Sequence, residues 1–104
     1  MTTQTTTGLV DGLLIEVAGH TTGDGLHYPP ARFLAVEGAG VSAMSSVPAS
    51  GDQFAAARAA AEGKTPRLAV RQTEPVKIER RGRRWVAYTA AGQQIGYADV
   101  GPGR

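Results

Sequence analysis

The residues of this chain best suited to chemistry are four arginines gathered around one glycine. They are Arg80, Arg81, Arg83 and Arg84, with Gly82 between them; the single tryptophan, Trp85, follows, and Lys77 precedes them. Guanidinium groups donate planar pairs of hydrogen bonds that match phosphate and carboxylate oxygens. An indole beside them can stack on a base. Such a cluster works only if local structure holds it together. Val76 to Glu79 alternates apolar and polar residues, Arg84 to Thr89 is rich in strand formers, and glycine lies between. That pattern predicts a β-hairpin with its turn at Arg81-Gly82-Arg83. The hairpin tip then carries a cationic patch with Glu79 as the only adjacent acid. If Val86 and Tyr88 face the core, Trp85 lies part-exposed beside Arg83 and Arg84. The expected partner-binding residues are therefore Arg80, Arg81, Arg83, Arg84, Trp85 and Lys77. The expected partner is nucleic acid or an acidic protein surface. A plainer reading makes the arginines solvated turn residues that keep edge strands from pairing with other chains, and Trp85 plain core.

The other groups capable of chemistry are sparser. His20 and His27, the only histidines, flank Asp24 in a glycine-rich stretch. Two imidazoles and a carboxylate could bind a divalent metal or supply a base. Their spacing matches no established ligand pattern, so no metal, no cofactor and no catalytic residue is expected there. Residues 19–30 are expected to form a mobile loop, with three glycines and Pro29-Pro30. Gly38-Ala39-Gly40-Val41-Ser42-Ala43 lacks both the lysine and the following helix of a phosphate-binding loop. No serine sits in a nucleophile-elbow pattern. The absence of cysteine excludes disulfides, thiolate metal sites and a cysteine nucleophile.

The elements that must position these residues read as an α+β domain. Strands are predicted at about 10–18, 31–37 and 41–44. One helix is predicted at about 52–62, capped by Ser50 or Asp52 and ended by Gly63 and Pro66. Its apolar content is Phe54 and small alanines, so it packs closely on the sheet of its own chain. Short strands follow at Arg67–Arg71, Val76–Glu79, Arg84–Thr89 and Gln94–Ala98, with turns between them. The expected fold is a mostly antiparallel sheet of five or six strands, or a small partly open barrel, with that single helix. Residues 1–7 read as a disordered polar tail, 8–100 as a single domain and 101–104 as a frayed end.

A chain of 104 residues holds one domain with a modest core. Nine Arg against two Lys, with abundant alanine, is the bias of a GC-rich coding sequence, bacterial or phage. No apolar run reaches the ~20 residues of a membrane span, and the N-terminus does not resemble a signal peptide. The expected location is therefore the cytoplasm, or a virion or host cytoplasm for a phage protein. Residues 1–50 carry one basic against four acidic side chains, net −3; residues 51–104 carry ten against five, net +5. That asymmetry suits a basic face kept for an anionic partner, or head-to-tail contact between copies. Three functions follow in order. The first is a non-enzymatic binding module that uses the basic hairpin. The second is a self-assembling structural component of a phage or bacterial complex. The third is a small-molecule or metal-dependent enzyme using the His20/His27 loop.

Overall fold

The computed structural model describes residues 9–44 and 48–99. The tail at 1–7 and the end at 101–104 lie outside the described residues. The architecture is α+β: one helix, a six-stranded antiparallel sheet curled into a half-barrel, and a small two-stranded sheet. The strands are β1 (Leu9–Val17), β2 (His20–Thr21), β3 (His27–Tyr28), β4 (Ala31–Val36) and β5 (Gly40–Ala43). The helix α1 (Gly51–Ala61) follows, then β6 (Val70–Arg81), β7 (Arg84–Tyr88) and β8 (Gln94–Asp99). The large sheet runs β5-β4-β1-β6-β7-β8, and β2 pairs with β3. Each half is a short meander, and the pairing of β1 with β6 joins them.

The curl is visible where the sheet's two edges meet. Met44, just past β5, bridges to Ala98 in β8. The face turned inward by that closure holds Leu14, Leu34, Val36, Val76, Ile78, Ala87 and Ala98 around Met44. A small barrel has little room inside, so large and small residues must alternate. Gly12 shows the limit: a Cβ there would lie 2.2 Å from Ile78 Cδ1 and 2.7 Å from the Ala35 carbonyl oxygen.

The opposite face of β1 and β4 is covered by α1. Ile15, Val17, Phe33 and Ala35 pack there against Ala56 and Ala57, and Phe33 meets Phe54 edge to face at 4.9 Å. Hence Phe33, Leu34, Ala35 and Val36 are all buried, alternately against the helix and inside the barrel. A strand covered on both faces reads as a continuous apolar run. The helix starts with a capping box. Ser50 Oγ accepts from the Gln53 amide N–H at 3.1 Å, and Gln53 Oε1 accepts from the Ser50 N–H at 2.9 Å. Gly63, at φ 76°, follows its C-terminal end.

Two expectations change. The segments Arg67–Arg71 and Val76–Glu79 do not form separate strands; Val70 to Arg81 is one strand of 12 residues. Pro75 looked like a break, but it sits where β6 has β1 alone as a neighbour, since β7 joins only at Lys77. A proline is tolerated in such a singly paired stretch. Residues 19–30 are also more than a loop. Gln53, fully buried, donates from Nε2 to the Ala18 carbonyl at 3.2 Å and the Pro29 carbonyl at 2.9 Å. Those two bonds clamp both ends of the β2–β3 hairpin to the helix. His20 Nε2 lies 2.6 Å from Ser50 Oγ and its ring stacks on Tyr28, which adds a third tie.

Candidate functional site

The hairpin that carries the arginines forms as its sequence requires. Arg81 pairs with Arg84 in the last rung of β6 and β7, so the turn is the two residues Gly82 and Arg83. Gly82 adopts φ 62°, which suits the first position of so short a turn and costs other residues more. Register then sorts the side chains. Ile78, Ala87, Arg80 and Trp85 lie on the face that lines the barrel; Lys77, Tyr88, Glu79, Val86, Arg81 and Arg84 lie on the other. Val86 and Tyr88 share a face, and it is not the one that lines the barrel. Ala87 lines the barrel, and Val86 is buried on the opposite face.

This sorting splits the arginines between two faces. Arg80 reaches over the Trp85 ring, 5.6 Å from its centroid, and its Nε donates to the Gly82 carbonyl at 3.1 Å. Trp85 is half-buried against the interior cluster. The guanidinium over its ring is thus that of Arg80, while Arg84 stands over Tyr97. On the other face, the Arg84 guanidinium stands 4.2 Å from the centroid of Tyr97. Arg81 Nε donates to Glu79 Oε1 at 3.0 Å, and the Tyr88 hydroxyl donates to the same oxygen at 3.1 Å. Those two bonds hold the Glu79 carboxyl below its ordinary pKa, the Arg81 bond more than the Tyr88 bond, and Glu79 in turn raises that of Arg81. Arg83 is exposed at the turn. Lys77 lies four rungs back from Arg81, on the same face, and is engaged by Asp11 at 2.5 Å. The structure therefore gathers Arg80, Arg81, Arg83, Arg84 and Trp85 at the tip and places Lys77 behind them.

Several residues at the tip carried no local sequence signal. Asp99 lies opposite Arg84 in the β7–β8 ladder. Tyr97 and Tyr88 enter only through pairing of β8 and β6 with β7. Beside the tip on the same face lies a depression of about 350 Å³ lined by Leu9, Lys77, Glu79, Tyr88 and the β7–β8 turn. Its charged walls are groups already paired internally.

The histidines do not converge. His20 pairs with Tyr28 and Thr21 with His27, so the two imidazoles project from opposite sides of the β2–β3 ribbon. His27 Nδ1 is 2.8 Å from Thr21 Oγ1. Asp24 bonds to Thr22, chiefly for which reason its carboxyl is held below the ordinary range. Among the described residues, no three His, Cys, Asp or Glu side chains group as a metal site. Among those residues, too, no helix is long and apolar enough to cross a membrane.

No protein-family model matches this chain, and neither curated proteins nor solved structures give a match. Its function must be argued from its own residues.

Proposed function

We propose that the chain is a non-enzymatic binding module that presents the β6–β7 tip to the phosphate backbone of nucleic acid, with an acidic protein surface as the second partner class. One observation carries this reading: Arg81 and Arg84 face each other across the last rung of the hairpin. Like charges directly opposite destabilise a ladder. Here Arg81 is drawn back along β6 to Glu79, and Arg84 reaches across to Tyr97 in β8. Two arginines set opposite one another at an exposed tip are best explained by a use outside the fold. Arg80 and Arg83 extend the cationic surface to the second face and to the turn. The Trp85 and Tyr97 rings have guanidiniums over them. That favours contact with backbone charge over base stacking, so the recognition expected is independent of sequence.

A second reading, a self-assembling component, rests on the 70–76 stretch of β6, which β7 leaves unpaired. Arg71, Glu74 and Pro75 in that stretch are residue types that discourage edge-to-edge pairing. The tip therefore ranks first.

The test is binding of a duplex of arbitrary sequence over a range of salt. If all four arginines engage phosphates, the log–log slope is near −3.6. Arg81→Ala with Arg83→Ala should flatten it by one to two units, at ~0.9 for each phosphate no longer neutralised, and weaken all sequences alike. Folding stability should hardly change. A double variant that binds as well as the parent, or that unfolds, refutes the reading.

A further inference from the structure

We infer that Glu79 is a built-in competitor for the partner: its carboxylate occupies the place on Arg81 that a phosphate oxygen of nucleic acid takes on binding. The inference rests on the proposed function of the tip. A single oxygen, Glu79 Oε1, accepts both the Arg81 Nε bond at 3.0 Å and the Tyr88 hydroxyl bond at 3.1 Å. Two donors converging on one anionic oxygen describe an anion subsite, here filled from within. The occupant is readily displaced. Side-chain exposure is 66% for Arg81 and 31% for Glu79, so water and salt compete for the pair. Asp11 plays the same part toward Lys77, two residues further back along β6.

The chemistry of exchange favours nucleic acid over an acidic peptide. A peptide carboxylate would replace Glu79 like for like and gain little at Arg81. A phosphate chain carries condensed counterions, and each phosphate neutralised releases them. The Glu79 charge lowers that gain, because it stands beside every phosphate approaching Arg81. It thereby makes the tip weaker and less salt-sensitive than four arginines alone would be.

The experiment compares the full chain with Glu79→Gln, using one duplex of about 20 base pairs over a series of salt concentrations. Glu79→Gln should bind about two- to fivefold tighter at low salt, the size of one exposed pair. Its log–log slope should steepen by up to ~0.9. Tyr88→Phe removes the hydroxyl but no charge and should leave the slope in place. Glu79→Thr, with a strand-forming side chain, should repeat the Glu79→Gln result and covers any folding fault of the first variant. If the arginine double variant flattens the slope but neither Glu79 variant changes it, this inference falls and the reading of the tip stands. It also falls if Tyr88→Phe moves the slope as far as Glu79→Gln. If neither wild type nor Glu79→Gln binds duplex, both fall. Equal tightening of polyglutamate by Glu79→Gln overturns the choice of nucleic acid as partner.

Discussion

Strand β4 hides both of its faces, one inside the barrel and one under α1, whereas β7 hides one and gives the other largely to tyrosine and arginine. Both belong to the same sheet, three strands apart. The helix explains the difference. It lies over β1, β4, β5 and the start of β6, and leaves the outer face of the far end of β6 and of β7 and β8 to Val86, Tyr88, Tyr97, Glu79, Arg81 and Arg84. One end of the sheet therefore holds the fold together. The other sets Arg81 opposite Arg84 and keeps charge at the surface.

The comparison breaks most visibly at Phe33. Phe33→Ala empties a fully buried site between β4 and α1 and should cost about 3–5 kcal/mol in denaturant unfolding. That is a large part of what a domain of this size has. A cost under about 1 kcal/mol would mean that the helix does not anchor that half.

Inside the barrel, two glycines sharpen the contrast. Gly12→Ala drives a methyl into Ile78 and the Ala35 carbonyl, and backbone cannot yield easily. Gly96→Ala meets only Met44 Cε, at 2.8 Å, the free end of a flexible side chain. The first should cost about 1–3 kcal/mol and the second clearly less. Equal costs in the same unfolding experiment would show that the interior is not closed as described.

Gln53→Ala tests the clamp on the β2–β3 hairpin. It strips the Ala18 and Pro29 carbonyls of their side-chain donor, and should cost about 1–3 kcal/mol. It should also speed amide exchange in residues 19–28. Unchanged exchange there would show that other contacts hold the hairpin.

These elements were unevenly legible in the sequence. The tip was legible because its signals are local: alternation on both sides of Gly82 fixes the turn and gathers the arginines. The helix was legible from its alanines and from Ser50, and Ser50-Gly51-Asp52-Gln53 carries the capping-box spacing that also marks Gln53. The continuity of β6 was hidden by Pro75, whose tolerance depends on which neighbours flank it. Which strand face turns inward was hidden too. Val86 and Ala87 are both buried, on opposite sides, so alternation alone could not choose between them. The Arg84–Tyr97 stack and the Asp99 rung join residues 13 and 15 positions apart, and only strand register brings them together.

The smallest effect expected concerns pH. Glu79 has its pKa lowered on folding, first by Arg81 and then by Tyr88. Its pair therefore contributes fully above the unfolded carboxyl value of about 4.3 and is lost as pH falls through the lower folded value. The affinity ratio between Glu79→Gln and wild type should stay constant from about pH 7 to 5 and approach one in stronger acid. A ratio that drifts across that range would implicate another group.

The division between the two ends of the sheet is tested most directly by amide chemical-shift mapping of the wild-type chain during addition of a short duplex. Shifts should concentrate at 79–85 and along β8 near Tyr97 and grow weaker with added salt, while Phe33, Phe54 and Gln53 stay in place. Shifts centred on α1 or the β2–β3 hairpin, or none at the tip at saturating duplex, would contradict this division.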